Sequence, residues 1–185
     1  MPDWPVSRHR VGDWLAALRL PSAPVVINPG AGWPSKIWQE DRFAEVAARL
    51  RDRHGLTAVV VWGSARERGA AERIAAAARG AAVVAPPTSL QDLGALCRMA
   101  RLFIAGDTGP LHLAAAIGTP CVGLFGPVPA ERNGPYGAGH VTVEPPAEMR
   151  PAWQDRKTDT VAMAGIDVDR VVAACDRQLR HTKAA

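Results

Sequence analysis

Apolar residues in this chain come in short uninterrupted runs, separated by longer stretches of mixed polarity. The runs are PVVIN (Pro24–Asn28), TAVVVW (Thr57–Trp62), AAVVA (Ala81–Ala85), RLFIA (Arg101–Ala105) and CVGLF (Cys121–Phe125). They are continuous rather than alternating, the pattern of strands covered on both faces. Between them the period changes. Phe43, Val46, Ala47 and Leu50 recur at helical spacing and stop at Gly55, as an amphipathic helix with a glycine terminator should. The alanine-rich Glu67–Gly80, then Thr88–Ala100 and Pro110–Gly118, predict further helices. In TSLQDLGAL, Thr88 and Gln91 have the spacing of a capping box. Val168, Val171, Val172 and Cys175 mark one face of a closing helix.

Strand, helix, strand, helix: the alternation predicts an α/β domain with a Rossmann-like parallel sheet flanked by helices. In such sheets ligands gather beyond the carboxyl ends of the strands. Residues 1–23, with a short helix over Ser7–Leu20 before Pro21 and Pro24, read as a connector into a domain spanning 24–185. The polar, proline-bearing Glu144–Thr160 predicts a loop, and no internal repeat occurs.

Composition narrows the function classes. A chain of 185 residues, 48% of them apolar, can bury one core. No run of about eighteen apolar residues is present, so no membrane span is expected, and MPDWPVSRHR has no apolar signal core. Cys97, Cys121 and Cys175 are far apart. That spacing suits buried, reduced thiols in the cytoplasm and offers no zinc pattern. The net charge of +4 is scattered, and only Lys36, Lys157 and Lys183 are lysine. With tyrosine and phenylalanine scarce, no platform for bases is evident, and nucleic-acid binding is not expected.

The loops after the strands carry the chemistry. In GDTGPLHLAAAIG, Gly106 and Gly109 permit a sharp turn, and Pro110 suits a first helical turn. Free N–H groups there, the helix dipole and the Thr108 hydroxyl would make an anion site. Asp107 would take a sugar hydroxyl or backbone N–H groups, and His112 would donate to a phosphate oxygen. Equally, Asp107 and Thr108 could cap the helix and His112 could pack. In NPGAGWPSKIW, Gly30, Ala31 and Gly32 allow close approach to the backbone, and Lys36 offers a point charge for phosphate or is a solvated surface lysine. Glu67, after the second strand, fits either a ribose diol or a helix N-terminus. Thr88 fits either its cap or an adenine pocket. Neither GxxxxGK[ST] nor GxGxxG occurs in the chain.

Together, NPGAGWPSKIW, VVWGSARE, TSLQDLGAL, GDTGPLHLAAAIGTPCVGLFGP and GPYG, in this order, resemble the carboxy-terminal half of glycosyltransferase family 9, the lipopolysaccharide heptosyltransferases of two-domain GT-B architecture. The likeness runs over residues 24–140, with MAGIDVDRVVAA near the end also similar. The resemblance implies a donor-binding set of Ala31, Gly32 and Lys36 at the diphosphate and Glu67 at the ribose. Thr88 would lie by the adenine, with Asp107, Thr108, Gly109 and His112 at the phosphates and sugar. It implies an inverting transfer of heptose from ADP-heptose to the lipopolysaccharide inner core, with no metal or other cofactor. The catalytic base and the acceptor site would belong to an amino-terminal acceptor domain that is absent here, so the half alone is expected to be inactive. The expected place is the cytoplasm, peripheral to the inner membrane. The alternative is a non-catalytic nucleotide-binding module or truncated fragment that uses another nucleotide-sugar.

Overall fold

The computed structural model describes residues 4–181. Six parallel strands form one sheet: β1 (Val25–Asn28), β2 (Ala58–Val60), β3 (Ala82–Val84), β4 (Leu102–Gly106), β5 (Cys121–Leu124) and β6 (Val141–Val143). Their order across the sheet is β3-β2-β1-β4-β5-β6. The helices are α1 (Pro5–Ala17), α2 (Glu40–His54), α3 (Ala65–Ala77), α4 (Leu90–Met99), α5 (Gly109–Ile117), α6 (Ala130–Asn133), α7 (Val161–Ala164) and α8 (Val168–His181). The sequence pattern locates β1 to β5 and the long helices; β6, α6 and α7 are additions. β6 is a three-residue edge strand whose middle residue, Thr142, is exposed, too short to show a period. The 144–160 stretch is irregular apart from two 3-10 turns, Ala147–Met149 and Trp153–Asp155.

The pleat sorts the strand side chains into two layers. Val25, Ile27, Val60, Leu102, Ile104 and Val122 face α2, α3 and α8, where Phe43, Leu50, Ile74 and Val171 complete one core. Val26, Val59, Phe103, Ala105 and Cys121 face the opposite way, against Leu93 and Leu96 of α4 and Leu111 and Ala114 of α5. Both faces of the central strands are therefore dry, which is why their sequences do not alternate. Each valine, leucine, isoleucine or phenylalanine among them contributes about 1.5–3 kcal/mol when withdrawn from water.

Local chemistry sets the helix ends. α2 opens with Glu40 and Asp41 and closes with Arg51, Arg53 and His54, in favourable order for its dipole, and stops at left-handed Gly55 (φ 67°). α4 departs from the sequence reading: its capping box is Ser89 with Asp92, one residue beyond Thr88 and Gln91. The two pairs have the same spacing, and tertiary contacts select between them. Asp92 is buried, accepts from the Ser89 N–H at 2.8 Å and receives Arg10 Nε of α1 at 3.1 Å. Burial alone would raise the Asp92 pKa, but the bonds from Arg10 and Ser89 outweigh it and hold the carboxyl far below its usual range.

That contact fastens α1 to the sheet. Val11 is fully buried, Trp14 and Leu15 pack beside it, and Trp4 lies over Gly94, where a Cβ would stand 2.3 Å from the indole. The segment that reads as a connector thus supplies part of one core layer.

Candidate functional site

At β1 the chain order reverses. From β1 the connections run outward to β2 and β3, whereas β4, its other neighbour, leads on to β5 and β6. The helices that follow β1 and β4, α2 and α5, pack on opposite faces of the sheet, and a crevice forms at the loops that lead to them. A cleft of about 380 Å³ occupies it, lined by Asn28 and the 30–32 loop, the loop after β2, Thr88 and Ser89, and the start of α5.

Six of the residues expected from sequence line this cleft: Ala31, Gly32, Glu67, Thr88, Thr108 and Gly109. Lys36, Asp107 and His112 do not line it; they cluster beside Thr108. Lys36 Nζ donates to Asp107 Oδ2 at 2.5 Å, with the two side chains 13% and 8% exposed. His112 Nε2 lies 3.4 Å from Asp107 Oδ1, and its ring is half exposed rather than packed. Asp107 therefore binds side chains, not the backbone N–H groups anticipated for it. Burial pushes its pKa up; hydrogen bonds from Lys36, Asn133 and His112 outweigh that and hold it below the usual carboxylate range.

Two glycines do something other than turn the chain. Neither Gly106 nor Gly109 has a positive φ, so the turn before α5 needs no left-handed residue. At Gly106 a Cβ would stand 3.1 Å from the Lys36 carbonyl. The β1 and β4 loops touch there, and the missing side chain lets Lys36 reach Asp107. At Gly30 a Cβ would lie 2.1 Å from Glu67 Oε1. The space Gly30 leaves is filled by the Glu67 carboxylate, which also accepts from the Gly63 N–H at 2.7 Å. Glu67 thereby joins the loop after β1 to the loop after β2.

Thr108 occupies the cap position of α5 but makes no side-chain cap. Its hydroxyl donates to the Gly106 carbonyl at 3.3 Å and accepts from Asn28 Nδ2 at 3.4 Å. The first turn of α5 thus lacks a side-chain acceptor, and around Gly32 and Gly109 a Cβ would meet nothing within 4 Å. An open helix start, two uncrowded glycines and a held ammonium are the elements of an anion cradle. Thr88, relieved of capping by Ser89, is among the residues that line the cleft.

Sequence reasoning missed Asn28 and Asn133. Asn28 is buried at the end of β1 and spans to Gly30 O at 3.3 Å as well as to Thr108. Its signal was present: a lone amide closing an otherwise apolar strand. Asn133, from the one-turn α6, donates to Asp107 Oδ2 at 3.1 Å and carries no comparable mark.

Comparison with known proteins shows the family and the fold. The profile of glycosyltransferase family 9 (heptosyltransferase) matches residues 1–160. Lipopolysaccharide heptosyltransferase 1 of Pseudomonas aeruginosa is 41% identical over 140 residues, which are 75% of this chain and 38% of that protein. The chain thus spans well under half the length of that relative. Among solved structures, the family 9 glycosyltransferase of Veillonella parvula superposes with a TM-score of 0.83 at 22% identity, over 98% of this chain and 53% of its own. The Escherichia coli heptosyltransferase WaaC, solved with ADP, gives 0.72 at 22% identity, over 91% and 48%. With its fold shared and most of its length matched, this chain belongs to glycosyltransferase family 9.

Proposed function

We propose that the chain is the donor-binding half of an inverting glycosyltransferase that moves heptose from ADP-heptose to the lipopolysaccharide inner core. The observation that carries the reading is the meeting of the β1 and β4 loops at the crevice, with Lys36 held by Asp107 next to the uncapped start of α5. In this reading the diphosphate lies between Gly32 and the Thr108–Gly109 amides, with Lys36 contributing its remaining N–H donors. Glu67 accepts from the ribose hydroxyls, and Thr88 flanks the adenine. Asp107 and His112 meet the sugar side of the phosphates. The relative solved with ADP and the heptosyltransferase relatives support the choice of nucleotide and sugar.

As an acceptor oxygen attacks the anomeric carbon, negative charge builds on the departing diphosphate. A fixed ammonium and helix amides lower the barrier because they stabilise that charge more than the ground state. The base that deprotonates the acceptor is assigned to an acceptor domain, so the chain alone binds ADP-heptose without transferring from it. Thermal shifts with ADP, UDP and NAD in one series test the donor class. ADP is expected to raise the melting temperature most; equal or larger shifts with UDP or NAD would refute the adenosine reading.

A further inference from the structure

Beyond the donor cleft, the Lys36 end of the site opens onto two indoles ringed by cations. Trp33 precedes the 3-10 turn Pro34–Lys36 of the β1 loop, and Trp153 starts the turn at Trp153–Asp155. Fully buried Ser35 donates its hydroxyl to the Arg156 carbonyl at 2.8 Å and pins the second segment against the first. The Arg156 guanidinium lies 3.9 Å from the centre of the Trp153 ring and 5.9 Å from that of Trp33. Arg132, just before Asn133 on α6, stacks on Trp153 at 4.5 Å. Lys157 and Lys36 approach Trp33 at 5.1 and 4.2 Å.

Only Lys36 in this group has an acid partner. Among the described residues no ion pair includes Arg132, Arg156 or Lys157, although Glu131 and Asp155 adjoin two of them in sequence. Indole faces hold guanidinium planes in place and leave most of their N–H edges exposed; Arg156 gives one N–H to the Trp153 carbonyl. Arg156 and Lys157 lie on the pinned segment and Arg132 stacks on the indole that Arg156 also covers, so three cations without an acid partner repel one another, and an oxyanion relieves that repulsion. Their position selects its source. Trp33 touches Lys36, so the group borders the Lys36–Asp107 pair that lies beside the cleft.

We propose that Trp33, Trp153, Arg132, Arg156 and Lys157 form a shelf that binds a negatively charged sugar of the acceptor, through its phosphate or carboxylate. The acceptor assignment rests on the transferase reading above. The shelf itself rests only on these contacts.

The test titrates glucose 6-phosphate, glucuronate and glucose into the chain by calorimetry, with and without saturating ADP. Saturation with ADP keeps the sugar phosphate out of the donor cleft. At least one of the two anionic sugars is expected to bind at least tenfold tighter than glucose with ADP present. An Arg132→Gln/Arg156→Gln variant is expected to lose at least fivefold of that affinity while binding ADP within twofold of the wild type. Equal binding of anionic and neutral sugars, or wild-type binding by the variant, would overturn the proposal. So would retention on phosphatidylglycerol vesicles through these arginines without sugar binding, which would assign the shelf to lipid headgroups. Failure of the wild type to bind ADP removes the donor reading, and the acceptor assignment with it, while the sugar titrations still decide the shelf.

Discussion

Replacing Lys36 by alanine probes the site most directly, because the ammonium has two jobs that can be separated. The first is structural. Asp107 is 8% exposed and receives Lys36 at 2.5 Å; without it the carboxylate keeps only Asn133 and His112. Breaking a buried pair from one side costs about 3–5 kcal/mol. The residual exposure of Lys36 and those two partners reduce this to about 2–3 kcal/mol. For a chain of this size that lowers the melting temperature by about 4–12 °C. The second job is binding. Loss of a charge-assisted hydrogen bond to the diphosphate removes about 1.5–3 kcal/mol, and the bare Asp107 carboxylate repels the ligand further. A fall in ADP affinity of about 30- to 300-fold is expected by calorimetry.

The double variant Lys36→Ala/Asp107→Asn separates the two. It removes the stranded charge, so most of the melting temperature should return. Affinity for ADP should recover only in part and stay at least tenfold below wild type, or about 1.4 kcal/mol. Full recovery in the double variant would mean that Lys36 merely neutralises Asp107. Unchanged ADP affinity in the single variant would refute the phosphate role outright.

Other expectations follow from single contacts. Gly30→Ala puts a methyl group against Glu67 Oε1, so the carboxylate must leave the cleft wall, and the ADP-induced thermal shift should fall to less than half. Asp92 has its pKa lowered in the folded state, so the stability it gives is present above the unfolded value near 3.9 and is lost as pH falls through the folded one. Urea unfolding should show stability dropping below about pH 4, and Asp92→Asn should flatten that drop while costing about 2 kcal/mol at pH 7. Asp107 and Asp176 shift in the same direction and will leave a residual slope. Burial pushes the Cys97 and Cys121 thiols up to about 12, so at pH 8 neither should react with a thiol reagent in the native protein, and both should react in denaturant.

What the sequence made legible has a physical limit, and α4 shows where it lies. Helix and strand periods are local, so β1 to β5 could be placed from their apolar runs alone. Cap register is less local: Thr88–Gln91 and Ser89–Asp92 offer the same spacing, and the choice falls to Arg10, 82 residues from Asp92. β6 escaped because three residues on an exposed edge bury too little to leave a pattern. In the site, loop motifs nominated Lys36 and Asp107 separately, but nothing local says that they pair across 71 residues. The same holds for Trp33 and Trp153, whose shared cation, Arg156, is visible only in three dimensions.

The strand order explains why the loops that the motifs singled out lie next to one another. Asn28 of β1 sits in register with Ala105 of β4, so whatever follows those residues emerges side by side at the rim of the sheet. The apolar runs imply adjacent parallel strands but not which ones adjoin, and a different order would scatter the same loops. With β1 beside β4, the Lys36 ammonium reaches Asp107 without positive-φ backbone at Gly106 or Gly109, and Gly106 supplies the small gap they need. The site therefore depends on one pairing more than on any single residue. A bulky residue at Gly106 should separate the two loops and break the ion pair even with Lys36 and Asp107 intact, lowering ADP affinity as far as Lys36→Ala does; wild-type affinity in Gly106→Val would show that contact between the loops is not what holds the ammonium in place.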